Sequence, residues 1–118
     1  MKTFLYVCGM KILVKKTILY YIDQYPIAKT QLLIWYNEFS KLEFHNFNQL
    51  KQVYGNVSIV NTERVVFNIK GNDFRLVVSI NFSQTACYVI WFGTHKEYDK
   101  INVETVAFDV SILNNKKR

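Results

Sequence analysis

The chain has 118 residues, of which 50% are hydrophobic, 16% aromatic and 20% charged. This is the size of one ordinary domain, too apolar for a disordered chain and, with four glycines and one proline, unlike a collagen or a linker-rich protein. Fifteen Lys and Arg against nine Asp and Glu give +6, a balance that suits nucleic acid or an acidic protein partner.

Two cysteines, Cys8 and Cys87, cannot build a disulfide framework, and no apolar run reaches the roughly 18 residues of a membrane-spanning helix. The expectation is one reduced, cytoplasmic domain over 1–118 without a membrane association. Residues 4–10 are apolar behind Lys2, but Lys11 interrupts them before a signal-peptide core is reached. Met10 opens a more natural strand, so residues 1–9 read as an extension upstream of an alternative start. Residues 114–118 end in the basic run Lys116, Lys117, Arg118, which reads as a solvated tail.

In chain order, residues 10–15 predict a short strand and 16–24 a first helix, which Tyr25–Pro26 ends because a residue preceding proline is pushed out of the helical region. Residues 27–44 predict the main helix, with Leu32, Trp35, Tyr36, Phe39 and Leu42 forming an apolar stripe that reads as core. A third short helix spans 47–54, with Gly55 expected as its left-handed cap. Beyond Gly55 the period changes to alternation, and 57–61, 64–70, 74–82 and 86–94 read as strands. Helices followed by hairpin-linked strands predict an α+β fold: an N-terminal strand and two to three helices on one face of a twisted, mainly antiparallel four- to five-stranded sheet.

The sharpest local inference concerns 64–82. Gly71–Asn72 between two alternating runs is a two-residue hairpin signal. It pairs Lys70 with Asp73, Ile69 with Phe74, Asn68 with Arg75 and Phe67 with Leu76. One face then holds Val65, Phe67, Ile69, Phe74, Leu76, Val78, Ile80 and Phe82 as core. The other holds Arg64, Asn68, Lys70, Asp73, Arg75, Ser79 and Asn81. On composition, this outer face is either a solvated surface or a phosphate-binding platform. Composition alone leans to the first; arginine makes the second chemically suitable, because its guanidinium is a planar, permanently charged fork of donors.

The last strand, 86–94, is apolar on both faces and predicts a central or covered position. His95 follows at its mouth, near Tyr98 and Lys100, and histidine is suited to general acid–base work. Its face depends on the preceding loop. A two-residue Ser83–Gln84 loop turns odd positions, and His95 with them, to the core; a three-residue loop puts His95 beside Arg75. Four scattered glycines build no phosphate loop, His45 and His95 lack metal-ligand spacing, and Cys87 reads as a small core residue.

At RVVFNIKGNDFRL (64–76) and GTHKEYDKI (93–101) the chain resembles the HigB toxins of the RelE-like superfamily. Weaker similarity extends back to Met10 through Trp35–Tyr36 and Tyr54–Gly55–Asn56. The resemblance covers about residues 10–105. It implies a type II toxin that cleaves translated mRNA on the ribosome. A helix-turn-helix antitoxin of the HigA type would neutralise it and carry the complex to operator DNA. It carries over His95, Arg75, Tyr98 and Lys100 as catalytic residues, with Arg64, Asn68 and Lys70 toward RNA; Asn81, on the same predicted face, joins that RNA-binding set. Lys96 departs from the smaller residue expected and adds a cation. Attack of a 2′-hydroxyl on the adjacent phosphate needs neither metal nor cofactor, so none is expected. Two rivals stand beside this reading. One is a non-catalytic RelE/ParE-like toxin that binds a protein target such as gyrase, and the other is a passive nucleic-acid-binding module.

Overall fold

In the computed structural model, residues 11–13, 15–109 and 111–112 are described. The proposed extension at residues 1–9 and the tail at 114–118 lie outside the described residues. Chain order is β1 (Lys11–Leu13), α1 (Lys15–Gln24), a 3₁₀ turn (Pro26–Ala28), α2 (Lys29–Phe39), α3 (Phe47–Val53), β2 (Ser58–Ile59), β3 (Arg64–Ile69), β4 (Phe74–Asn81), β5 (Ala86–Thr94) and α4 (His95–Tyr98). The described strands form a five-stranded sheet in the order β1-β5-β4-β3-β2. Only β1 runs parallel to its neighbour; the β2–β3, β3–β4 and β4–β5 pairs are antiparallel. The α+β expectation therefore holds, with β5 as a central strand.

The helices pack where the alternation places them. Leu32, Trp35 and Phe39 of α2 are buried on Phe67, with Trp35 and Phe39 stacked at 5.0 Å and each ring edge-on to Phe67. Val65, Phe67, Ile69, Phe74, Leu76, Val78 and Ile80 all enter this core, and Phe82 packs half-buried against it. The β3–β4 register is the expected one, with Asn68 opposite Arg75, Phe67 opposite Leu76 and Ile69 opposite Phe74.

Two local expectations are corrected, and one open alternative is resolved. The main helix is shorter than 27–44: Pro26 opens a separate 3₁₀ turn, α2 starts at Lys29, and the chain leaves the helix after Phe39 at the Ser40 cap. Leu42 still reaches the core from the following loop. Gly55 is not a left-handed cap: α3 closes on Tyr54, with φ of −111° and ψ of 78°, and a turn over Gly55–Asn56 follows, in which Val57 N–H donates to the Tyr54 carbonyl at 3.0 Å. Among the described residues, positive φ occurs instead at the two β-turns, at Lys70, Gly71 and Thr85.

The open alternative concerns where β5 points. Near its start, Asn81 pairs with Ala86 and Ile80 with Cys87, the register of a two-residue Ser83–Gln84 loop. A β-bulge between Val77 and Val78 then shifts the ladder by one, so Val78 faces Val89 but Val77 faces Trp91. A bulge adds one residue to one strand and reverses the alternation beyond it. Cys87, Val89 and Phe92 consequently lie in the helix-side core, whereas Ile90 and Trp91, adjacent in sequence, both pack on the other face. The two alternatives for His95 thus coexist, one at each end of the strand, and the end that carries His95 follows the Arg75 face.

That second face is not simply solvated. Val66, Val77 and Ile90 form a separate buried cluster, covered by Val60, Trp91, Tyr98, Val103, Val106 and Phe108. The chain after α4 crosses this face and then returns to the main core, where Ile112 is buried.

Candidate active site at the hairpin end of the sheet

The exposed part of the outer face is the row beyond that cluster. Asn68, Arg75 and Gly93 stand opposite one another on β3, β4 and β5. Asn68 is exposed, and its amide reaches Asn72 Oδ1 at 3.4 Å. Arg75 is half-buried; its Nη1 donates to the carbonyls of Asn72 and Phe74, both at 3.1 Å, which folds the guanidinium over the turn. Lys70 pairs with Asp73 across the turn at 3.5 Å, as the hairpin predicts.

Gly93 has a steric reason. A Cβ there would lie 2.6 Å from Trp91 Cη2 and 2.8 Å from Glu97 Oε1. The bare backbone lets the Trp91 ring and the Glu97 carboxylate close over the end of β5. Tyr98 packs beside the same indole, with ring centroids 6.2 Å apart.

His95 is the first residue of α4 rather than the last of the strand. Its backbone N–H donates to the Asp73 carbonyl at 3.0 Å, which docks the start of α4 on the hairpin turn. Its Nε2 lies 3.7 Å from Asp99 Oδ2, one helical turn on, and both side chains are open to solvent. A carboxylate beside an imidazole can orient the ring.

Glu97 secures the turn. Thr94 Oγ1 accepts from Glu97 N–H at 3.1 Å, and Glu97 Oε1 accepts from Thr94 N–H at 2.8 Å, a complete capping box. The same Oε1 accepts from Tyr25 O–H at 2.7 Å, so the turn after α1 is tied to α4. This Tyr25 bond, with the Thr94 amide and the charge of Lys100, holds the Glu97 carboxyl below its ordinary value. Burial and the bond to Glu97 push the Tyr25 phenol upward. Lys100 therefore contributes its charge on the Glu97 side of the site.

Two nominated residues are not brought here. Arg64 pairs with Ser79, four positions down β3 from Asn68, or about 13 Å at strand rise. Its Nη1 donates to the carbonyls of Val103 at 3.0 Å and Val106 at 2.7 Å, anchoring the segment that crosses the sheet. Asn81 ends β4, and its Oδ1 accepts from Ser83 Oγ at 2.8 Å and Gln84 N–H at 3.2 Å, so it shapes the far turn. Cys87 is buried, and burial pushes its thiol up to about 12, which leaves it unreactive. Asp99 and Glu97 went unnominated in the sequence, although Thr94-His-Lys-Glu97 is a capping-box signature that predicts the helical turn setting Asp99 beside His95.

Comparison with known proteins gives a consistent result. The HigB toxin family, the RelE-like toxic component of a toxin–antitoxin system, matches residues 28–101, a span containing all eight nominated residues. The mRNA interferase toxin HigB of Escherichia coli (strain K12) is 34% identical over 79 residues, covering 65% of this chain and 76% of that protein. The mRNA interferases HigB of Escherichia coli O157:H7 and Shigella flexneri match with the same identity and coverage.

Proposed function

The chain belongs to the HigB family of RelE-like toxins, and from that premise we propose that it is an mRNA interferase acting on translated messages. The observation that carries this reading is the placement of His95 and Arg75 at the same open end of the sheet. Register sets Arg75 opposite Gly93, two residues before His95, and the Asp73 carbonyl holds the start of α4 on the hairpin turn.

The chemistry is transfer within the RNA. The 2′-hydroxyl oxygen attacks the adjacent phosphorus and gives up its proton to a base. The bond from phosphorus to the 5′-oxygen breaks, and that oxygen takes a proton from an acid. A 2′,3′-cyclic phosphate and a 5′-hydroxyl result. His95, oriented by Asp99, serves as one of the two proton-transfer groups, with Tyr98 or Lys100 as its partner. Arg75 stabilises the charge that develops on the phosphorane, where fixed donors have their largest effect. Lys70 and Asn68 hold the neighbouring strand of RNA. The ribosome would supply the substrate orientation that so open a site does not.

A HigA-type helix-turn-helix antitoxin is the proposed partner. Operator DNA is reached only through it, and the site of action is the cytoplasm. Among the described residues no helix is long and apolar enough to cross a membrane.

Primer extension on a defined message in a translating extract tests the reading, with the wild type, His95→Ala and Arg75→Ala compared with and without ribosomes. Cuts that require translating ribosomes and fall at least about a hundredfold in His95→Ala support it. Cuts on naked RNA retain the nuclease and remove the ribosome. An intact message in cells arrested by the toxin overturns the nuclease and directs attention to a protein target.

A further inference from the structure

Among the described residues, six large hydrophobic ones are exposed: Leu19, Ile27, Ile34, Val53, Ile59 and Tyr88. Single exposed hydrophobics are ordinary on protein surfaces. Ile27, the most exposed at 69%, differs from the others in its position. It lines a cleft whose other walls are Phe74, the turn residues Asn72 and Asp73, and, at α4, His95 and Lys96. An uncovered aliphatic side chain thus shares one cleft with the imidazole assigned to proton transfer.

The cleft is held rigidly on both sides. Ile27 is the middle residue of the 3₁₀ turn, flanked by Pro26, whose ring fixes its own φ, and by Ala28, which is fully buried. Tyr25 just before it packs edge-on against Phe74 at 5.5 Å and Phe92 at 5.6 Å. The Tyr25 hydroxyl then bonds Glu97 on α4, the helix that begins with His95. The turn bearing Ile27 and the helix bearing His95 are therefore fixed relative to each other before any substrate enters.

The two sides differ in chemistry. Ile27, above the edge of the buried Phe74, offers apolar surface, which suits the face of a nucleobase. His95 and Lys96 offer donors and positive charge, which suit the phosphate beside it, with Arg75 curled over the same turn. An unstacked nucleotide combines these two requirements in this arrangement. We propose that Ile27 is a specificity-determining residue, the apolar wall against which the nucleobase next to the scissile phosphate packs. This rests on the interferase reading above. The residue lies one position outside the family match at 28–101.

The test maps cut positions and rates on one message in the translating extract for the wild type, Ile27→Ser, Ile27→Phe and Val53→Ser. All three changes are neutral in charge and sit at exposed positions, and Val53 lies on α3, outside this cleft. Ile27→Ser is expected to slow cleavage about tenfold or more and to alter which base flanks the cuts. Ile27→Phe is expected to keep the rate while favouring larger bases, and Val53→Ser to cut like the wild type. Wild-type rates and cut positions in Ile27→Ser would overturn the proposal while leaving the nuclease intact. Equal slowing by Val53→Ser would also overturn it, because the loss would then not belong to the cleft. No cutting by the wild type itself would remove the interferase reading, and the wall with it.

Discussion

Leu76 and Val77 are neighbours on β4, both fully buried, yet they lie in different environments. Leu76 belongs to the large core cluster that also holds Ile18 of α1, Leu32 of α2, Leu50 of α3 and the aromatic rings of Trp35, Phe39 and Phe67. Val77 belongs instead to the small cluster with Val66 and Ile90, covered by Val60, Trp91, Tyr98 and the irregular segment that carries Val103, Val106 and Phe108. One face of the sheet is a conventional core built by amphipathic helices. The other is closed only along its middle, and the row at the hairpin end stays open for Arg75 and Asn68. A thin cover of this kind lets one sheet supply both a scaffold and a site.

Truncating each neighbour to alanine breaks the comparison most directly. Leu76→Ala is expected to cost about 2–5 kcal/mol of unfolding free energy, because the cavity forms inside the packed helical core. Val77→Ala deletes less and opens toward a segment that can settle, so about 1–2 kcal/mol is expected. Urea unfolding of both variants provides the check. Equal losses would mean that the two covers are equally rigid and that the outer face is a core in its own right.

Arg64 separates the same two roles at an intermediate scale. Its guanidinium holds the cover through the Val103 and Val106 carbonyls. Arg64→Met should lower stability by about 1–3 kcal/mol, since both carbonyls lose a charged donor. It should leave the salt dependence of RNA binding unchanged. Arg75→Met, by contrast, should reduce the slope of log K against log salt by about 0.7 if Arg75 meets one phosphate of a single strand. Binding titrations at several salt concentrations read both. A reduced slope for Arg64→Met would return it to the RNA surface.

These differences also mark what the residues reveal before folding. The β3–β4 register was legible because Gly71–Asn72 and the alternation agree, and a slip by one would bury Asn68 and Arg75. The bulge in β5 was not. Val89, Ile90 and Trp91 are all apolar, so an extra residue leaves no trace in a two-residue period, and the side taken by His95 stayed open. The cover was also illegible. Val103, Val106 and Phe108 follow neither helical nor strand spacing, so Arg64 reads as one more outward-facing cation until its two carbonyl partners are seen. The site itself was partly legible. His95, Arg75 and Lys70 lie at the hairpin end, whereas Asn81, on the same predicted face, lies six residues along β4 from Arg75, about 20 Å away. Alternation assigns a face and says nothing about which end of it is occupied.

The smallest expected effect sharpens the comparison at the point where the two faces meet. Tyr25 packs on the helix side, and its hydroxyl reaches Glu97 above the end of β5. Tyr25→Phe keeps the ring contacts and removes one hydrogen bond, so a loss of about 1 kcal/mol near neutral pH is expected. The pH dependence identifies the bond. In the folded chain the Glu97 carboxyl is held below its ordinary 4.5, so its contribution is present above that value and is lost as pH falls through the lowered one. The Tyr25 phenol is raised above its ordinary 10.0, so its contribution is present below pH 10 and is lost as pH rises beyond it. The stability difference between wild type and Tyr25→Phe should therefore be flat from about pH 5 to 9 and shrink at both ends. Chemical denaturation across pH 3–11 measures it. A difference that stays constant into acid would separate Tyr25 from the Glu97 carboxylate and leave the turn bearing Ile27 tied to α4 by packing alone.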